Sequence, residues 1–224
     1  MNEASSGAPA GGSLAGRHVV VTGGHGALGQ GVCAVLEARG AVLHVSPDPP
    51  ALRLDDEAQA TAFFAALPSI WASIHLVGGF AIKPITETSL TDFEQQWRIN
   101  TVTCFLSCRE AVRAMRRTGA GGRIVNVAAR PVLAPGPNLS AYLAAKAGVA
   151  ALTQGLAAEV LAEGILVNAV LPSLIDTPAN RAAMPDADHA SWPRPAQIAE
   201  AIAYLASPDN ALTSGALLPV YGRA

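Results

Sequence analysis

The sequence predicts a single α/β domain built as a doubly wound parallel sheet, with helices on both faces. Short runs rich in β-branched residues alternate with longer alanine-rich runs of helical period, which is the order expected when crossover helices join parallel strands. Several strand runs contain almost no polar residue, as is typical of strands covered on both faces. At 224 residues the chain suits one such domain and is short for two.

Capping and breaker residues set the limits of the predicted elements. Gly40 suits the position after a helix, and Thr91 with Glu94 three positions on has the pattern of a capping box. The predicted strands are His18 to Thr22, Ala41 to Val45, Ser73 to Val77, Arg123 to Val127, Ile165 to Leu171 and Ala216 to Val220. The predicted helices are Ala27 to Arg39, Glu57 to Leu67, Thr91 to Met115, Tyr142 to Glu163 and Pro195 to Ala206. Residues 172–195 are rich in proline without a strong period, which predicts a substrate loop or lid.

The composition indicates a protein that acts on a small molecule. The chain has 15 basic and 17 acidic residues and no basic run, so it lacks the charge pattern of a nucleic-acid or membrane-surface protein. No apolar run has the roughly 18 uninterrupted residues that a membrane span requires. Hydrophobic residues make up 50% of the chain and charged residues only 14%, which predicts an oligomer.

The N-terminal segment and the cysteines favour a cytoplasmic location. Residues 1–13, rich in Ala, Ser and Gly, predict a disordered tail without the features of a signal peptide, and residues 14–224 form the predicted domain. Cys33, Cys104 and Cys108 show no CxxC spacing, which favours core cysteines in a reducing compartment over a disulfide or zinc site. No metal-ligand spacing is found elsewhere, so we expect no metal cofactor.

A glycine-rich turn joins the first predicted strand to the first helix. In residues 22–29 (TGGHGALG), Gly23 permits the tight turn, Gly26 lets the main chain approach a pyrophosphate, and Gly29 allows close packing of helix on strand. The start of the helix offers free N–H groups to phosphate oxygens. This context predicts a Rossmann-type NAD or NADP site. The contacts predicted in the loop are Gly23, His25, Gly26, Ala27, Leu28 and Gly29.

The choice between NAD and NADP stays open. An acidic residue at the end of the second strand favours NAD, whereas an arginine there accommodates the 2′-phosphate of NADP. Ser46, a predicted cofactor contact, follows the strand, and Asp48 reaches the required position only if the strand runs one residue longer. Arg53 lies several residues further on.

The glycine loop together with the segment Tyr142 to Lys146 (YLAAK) resembles the short-chain dehydrogenase/reductase family, from about Leu14 to Val220. The resemblance implies an NAD(P)-dependent oxidoreductase. It also implies a homodimer or homotetramer, because the two long predicted helices suit the four-helix subunit contacts common in the family. It also implies cofactor contacts at an adenine-binding aspartate, at a turn beside the adenosine ribose and in a loop near the nicotinamide carboxamide. The aspartate is Asp55, the turn contains Gly78 and Gly79, and the loop contacts are Pro172, Ile175 and Thr177.

Tyr142 and Lys146 are four residues apart at the start of a predicted helix, so their side chains project from one face. A nearby ammonium favours the phenolate and brings the phenol pKa closer to a working pH. By resemblance to the family, Tyr142 is the general acid and Lys146 holds the nicotinamide ribose. Asn100 matches a helix asparagine that anchors a water leading protons from Lys146.

The chain departs from the family pattern thirteen residues before Tyr142, where most members carry a serine and this chain has Ala129. That serine donates a hydrogen bond to the reacting oxygen, and the loss of one such donor costs about 10²–10³ in rate. A conjugated imine or quinonoid substrate needs less polarisation; otherwise Ser140 supplies the hydroxyl. Two further hypotheses remain open, namely a binding or regulatory protein without turnover and a non-redox enzyme.

Within the family the chain looks most like dihydropteridine reductase, which also lacks the serine. The likeness rests on residues 23–29, 171–172, 176–181, 184–185, 187–188 and 191–192. It makes a dihydropterin one candidate substrate. Arg181 is expected to pair with an acidic substrate group or stack on a planar ring, unless it is a solvated lid residue. The predicted substrate contacts are Ala129, Ser140, Asn180, Arg181 and Met184.

Overall fold

The computed structural model describes residues 13–223 and confirms the predicted fold class. Six parallel strands form one sheet in the order β2-β1-β3-β4-β5-β6. The strands are β1 (His18–Thr22), β2 (Val42–Val45), β3 (Ala72–His75), β4 (Gly122–Val127), β5 (Ile165–Pro172) and β6 (Leu217–Val220). Each lies within two residues of its predicted bounds. The predicted tail, apart from Ser13, lies outside the described residues.

Helices cover the sheet on both faces. They are α1 (Ala27–Ala38), α2 (Glu57–Ala65), α3 (Leu90–Trp97), α4 (Thr103–Arg116), α5 (Ser140–Val160), α6 (Pro178–Ala183) and α7 (Pro195–Ala206). Val32 and Leu36 of α1 and Ile198 of α7 pack in one core cluster with strand residues. Phe64 of α2 and Val149 of α5 pack in the other, together with α4. This two-faced burial explains why the strand runs contain so few polar residues.

The predicted helix from Thr91 to Met115 proves to be two helices, and its start was wrong. Ser89 is the N-cap: its Oγ accepts a hydrogen bond from Asp92 N at 3.1 Å, and Asp92 Oδ2 accepts from Ser89 N at 2.9 Å. A reciprocal pair of this kind starts the helix two residues before the predicted cap. Residues 98–102 then form a π-helical turn between α3 and α4.

The remaining helix bounds differ from prediction mainly at the ends. The helix predicted from Tyr142 begins at Ser140 and ends at Val160, followed by a 3₁₀ turn to Glu163. The irregular segment between residues 172 and 195 contains α6 and a short 3₁₀ turn at His189–Ser191. Within residues 13–223, no helix combines the length and the apolar character that a bilayer span requires.

The sheet changes direction of winding between β1 and β3. The chain passes from β1 outward to the edge strand β2 and then crosses back over β1 to β3. In open α/β sheets, ligands bind in the crevice that such a switch point leaves at the carboxyl ends of the strands. The turns after β1 and β3 meet there, since a Cβ atom on Gly23 would lie 2.9 Å from Val77 N.

Candidate active site

Two cavities meet at the carboxyl edge of the sheet, with Leu76 and Gly78 lining both. The glycine-loop cavity, of about 720 Å³, lies against the turn after β1 and is lined by Gly23, Gly26 and Asp55 among others. The tyrosine cavity, of about 550 Å³, is lined by Tyr142, Lys146 and mostly apolar side chains. These two adjoining cavities, together called the trough, lie at the switch point.

The glycine loop places main-chain amides at the floor of its cavity. Gly23 has a φ of +71°, which favours glycine, and its N–H donates to Ser46 Oγ at 3.3 Å. Gly26 is the N-cap of α1, and among residues 13–223 no side chain caps that helix start. A Cβ atom on Gly29 would lie 2.3 Å from Gly23 O. The loop therefore leaves uncapped N–H groups beside a cavity, an arrangement that suits phosphate oxygens.

The structure places only some of the predicted cofactor contacts of this loop in a cavity wall. Gly23 and Gly26 line the glycine-loop cavity, and Leu28 lines the tyrosine cavity. Gly29 packs behind the loop, and Ala27 is exposed at the start of α1. The remaining predicted residue, His25, is also exposed and lies 3.4 Å from Asp48, a residue of the cavity wall that sequence reasoning left undecided.

At the far end of the glycine-loop cavity, Asp55 is held by two arginines. Arg53 Nη2 donates to Asp55 Oδ2 at 2.9 Å, and Arg98 Nε donates to the same oxygen at 3.3 Å. The Arg53 hydrogen bond, supported by Arg98, lowers the pKa of the Asp55 carboxyl below its usual value. Sequence reasoning missed Arg98, because it stands 43 residues away in the chain.

Tyr142 and Lys146 project from the first turns of α5 into the tyrosine cavity. Burial raises the pKa of the Tyr142 phenol to about 12 and lowers the pKa of Lys146 to about 8. Lys146 Nζ donates to Val127 O at 2.9 Å, and Phe80 contacts the Tyr142 ring edge-on at 4.9 Å between centroids. The phenol pKa therefore lies above its ordinary value in this structure, opposite to the predicted direction, because burial raises it.

The π-helical turn places Asn100 beside Lys146. Asn100 Nδ2 donates to Gly79 O at 3.1 Å and to Gln96 O at 3.0 Å, and its Oδ1 accepts from Gly79 N at 3.2 Å. A Cβ atom on Gly78 would lie 2.7 Å from Asn100 Oδ1 and 3.2 Å from Lys146 Nζ. Both polar atoms thus converge on Gly78, where the two cavities join. Only glycine leaves this space open.

The predicted substrate contacts are partly brought together. Ala129, Asn180 and Met184 line the tyrosine cavity. Ser140 is exposed and Arg181 is bound to Asp176, with Nη2 to Oδ2 at 2.8 Å, so neither lines it. Of the three residues predicted to contact the nicotinamide, Pro172 and Ile175 line the cavity, whereas Thr177 caps α6 with its hydroxyl.

Several cavity-lining side chains were missed from the sequence. Phe80 follows the turn after β3, Arg130 follows Ala129, and Leu174 follows β5. Each stands beside a residue that the sequence did single out. Their position next to the carboxyl end of a strand was the available signal, since ligand-contacting residues of open α/β sheets gather there.

A buried polar network lies beneath the site, on the α4 and α5 side of the sheet. His75 contacts Ser73 Oγ and Asn126 Oδ1, each at 2.8 Å, and Asn126 Nδ2 donates to Thr153 Oγ1 at 2.9 Å. The ring nitrogens of His75 and the buried sulfurs of Cys104 and Cys108 lie within 4.8 Å of one another. The sequence predicted core cysteines at these two positions but gave no sign of this network, whose members come from four elements.

Comparison with known proteins agrees with this geometry. A family model described as Enoyl-(Acyl carrier protein) reductase matches residues 14–222. A short-chain type dehydrogenase/reductase of Sinorhizobium fredii is 30% identical over 240 residues, covering 92% of this chain and 43% of the relative. The chain belongs to the short-chain dehydrogenase/reductase family. This membership confirms the resemblance found from the glycine loop and the YLAAK segment.

Two further proteins extend the comparison. Cis-4-hydroxycyclohexanecarboxylate dehydrogenase of Sinomonas cyclohexanicum is 35% identical over 173 residues, covering 73% of this chain and 68% of the relative. The solved structure of ElxO with NADP bound has a TM-score of 0.85 at 21% identity, covering 92% of this chain and 98% of that one. The chain spans about half the length of several other curated relatives that it matches, from 43% to 60%.

Proposed function

We propose that this short-chain dehydrogenase/reductase is an NAD(P)H-dependent reductase of a small conjugated carbonyl or imine compound, with Tyr142 as the proton donor. The observation that carries the proposal is the meeting of the two cavities at Gly78, beside Lys146 and Asn100. A trough of this form matches a dinucleotide at one end and a second reactant at the other.

The residues present fit a dinucleotide. The uncapped start of α1 beside Gly26 suits the pyrophosphate, and the Lys146 ammonium suits the hydroxyls of the nicotinamide ribose. When bound, the reduced cofactor supplies the hydride. ElxO, which shares the fold, binds NADP, and this supports the assignment of the trough. With the nicotinamide end of the cofactor at Gly78, the tyrosine cavity remains for the substrate.

The protonation states favour reduction. With its pKa raised to about 12, the Tyr142 phenol is neutral at pH 7 and carries the proton that a reduced carbonyl or imine must receive. Lys146, with its pKa lowered to about 8, is mostly an ammonium at that pH. A protonated phenol next to a cation is therefore the resting state. Such a pair acts as an acid in the reductive direction.

The cavity offers few hydroxyl donors to the reacting group of a substrate. Among the described lining residues only Tyr142 and Ser173 carry hydroxyls, and Ser173 Oγ donates to Tyr221 O at 2.8 Å. Ala129 adds none. A substrate activated by conjugation needs fewer donors, and a dihydropterin of the kind suggested by the dihydropteridine reductase resemblance meets this condition. The ring compound that names the Sinomonas relative also supports a small cyclic substrate.

The deciding experiment follows cofactor oxidation at 340 nm with a panel of quinonoid dihydropterin, quinones and ketones. Tyr142→Phe should lower kcat by about 10²–10⁴, the usual contribution of a general acid, with the cofactor Kd nearly unchanged. Tyr204→Phe is the matched control, because Tyr204 is an exposed residue of α7. Unchanged turnover in Tyr142→Phe would refute the role of the phenol.

Ala129 also favours a second candidate, a cofactor-binding protein without turnover. Ala129 lines the tyrosine cavity where most family members have their serine, so the site lacks one donor to the reacting oxygen. This candidate predicts micromolar cofactor binding by calorimetry with no oxidation on any panel member. Isomerisation or elimination without net cofactor change would be seen by mass spectrometry of the products.

A further inference from the structure

Arg130 introduces a cation into an otherwise apolar cavity. It directly follows Ala129 at the carboxyl end of β4 and lines the tyrosine cavity together with Phe80, Leu174 and Met184. The described residues that line this cavity carry two cations, Arg130 and Lys146, and no carboxylate. Lys146 Nζ is bound to Val127 O and lies beside Gly78, which leaves Arg130 as the second positive charge of the cavity wall.

Within residues 13–223, no side chain neutralises Arg130. Its guanidinium makes no hydrogen bond and no ion pair within 4.0 Å with a described residue, and the side chain is half-buried. The two arginines of the glycine-loop cavity are both bound to Asp55, and Arg181 is bound to Asp176. A guanidinium with five N–H donors beside an apolar cavity is therefore left for a ligand.

An aromatic ring holds Arg130 in place. Its Cζ lies 5.0 Å from the centroid of the Tyr221 ring, a distance at which cation–π attraction orients a guanidinium. Tyr221 directly follows β6, the edge strand two places from β4 in the sheet. The cation thus points along the strand ends away from the glycine loop. Stacking fixes the planar group while leaving its N–H edge available for bidentate contacts.

We infer that Arg130 determines substrate specificity by binding an anionic group, of carboxylate type, on a small apolar substrate whose reducible group faces Tyr142. The inference rests on the proposed reductase function for the reacting end of the substrate. The lining residues Phe80, Leu174 and Met184 contact the apolar body, and Arg130 binds the anion. A planar guanidinium matches a carboxylate with two parallel hydrogen bonds, which a neutral ester does not provide.

The test compares two aldehydes that differ only in charge, 4-formylbenzoate and its methyl ester. For the unchanged protein, kcat/KM should favour the carboxylate by about 10- to 100-fold, the usual value of a hydrogen bond to a charged group, with most of the difference in KM. Arg130→Met should remove the preference, and Arg130→Lys should retain part of it. Arg117→Met, which removes an exposed cation outside the cavity, should leave the ratio unchanged.

A second readout does not depend on turnover. Calorimetry, with and without NADH, measures binding of 4-(hydroxymethyl)benzoate and its methyl ester to the same variants. Carboxylate binding that needs Arg130, without reduction of either aldehyde or of any member of the panel above, would refute the proposed function but support the anion site. Equal binding and equal rates for acid and ester, or a preference that survives in a folded Arg130→Met protein, would overturn the inference about Arg130.

Discussion

Ala129 is the residue at which this chain differs most clearly from its family. It lines the tyrosine cavity in extended backbone, with φ −161° and ψ 155°, so a serine fits there without a change of conformation. Ala129→Ser should therefore raise kcat/KM for an unactivated ketone such as cyclohexanone by about 10- to 100-fold, because it adds a donor to the reacting oxygen. A conjugated quinone should gain far less.

The control for Ala129→Ser is Ala134→Ser, which adds the same hydroxyl at another point of the cavity wall. Steady-state kinetics with both substrates separate the two effects. Equal rates for cyclohexanone in the unchanged protein and in Ala129→Ser would show that polarisation of the substrate oxygen does not limit this enzyme.

Lys146 should set the pH range of activity. Its pKa is lowered to about 8 by burial, so the ammonium is present below that pH and is lost above it, while Tyr142 stays protonated to about pH 12. In the reductive direction kcat/KM should be level below pH 8 and fall about tenfold per pH unit above it. Lys146→Arg keeps its charge and should lack this fall, whatever its absolute rate. A profile that rises above pH 8 would exclude the ammonium as the active form.

The role of a residue could be predicted from the sequence where the spacing of residues along one helix or loop fixes their relative positions. Tyr142 and Lys146 share a helix face at any orientation of that helix, and the glycine loop is a local structure. The pKa of Tyr142 could not be predicted, because burial by Phe80 and other distant residues decides it. The ion pair of Arg181 could not be predicted either, because its partner Asp176 lies in a loop whose sequence shows no periodicity.

At the scale of elements, the break between α3 and α4 was invisible in the sequence. A π-helical turn inserts an extra residue into the helix without a glycine or proline to mark it, and the apolar pattern continues on both sides. The turn matters because it aims the Asn100 amide at Gly79 and opens the helix next to Lys146. Such turns are concentrated at functional sites, as here.

Two helical glycines should respond to the same substitution in opposite ways. A Cβ atom on Gly29 of α1 would lie 2.3 Å from Gly23 O, so Gly29→Ala must distort the loop, weakening cofactor binding and stability together. Gly155 of α5 has no described heavy atom within 4 Å of such a Cβ, so Gly155→Ala should stabilise the fold by about 0.5–1 kcal/mol.

Urea unfolding and cofactor titration of both glycine variants measure this contrast. Tight cofactor binding in Gly29→Ala would mean that the loop adapts to a side chain, and would remove the packing role assigned to this glycine. Loss of stability in Gly155→Ala would instead indicate that a neighbouring molecule approaches this surface of α5.

At the scale of the whole molecule, the charge of the glycine-loop cavity should decide between the two cofactors. Asp48 lines this cavity with an exposed carboxylate, and the arginines there, Arg53 and Arg98, are both bound to Asp55. A 2′-phosphate would approach the Asp48 carboxylate and would have to compete with Asp55 for both arginines. We therefore expect NADH to bind at least about tenfold more tightly than NADPH.

Thermal unfolding measures this preference on the intact protein. NADH at a hundred times its Kd should stabilise the fold by about 2.7 kcal/mol, which raises Tm by about 5–11 °C for a chain of this size, and NADPH at the same concentration should raise it less. Asp48→Ser should bring the two shifts together, whereas Asp209→Ser, on the exposed surface after α7, should not. A larger shift with NADPH in the unchanged protein would mean that one of the two half-exposed arginines, Arg53 or Arg98, leaves Asp55 for the phosphate.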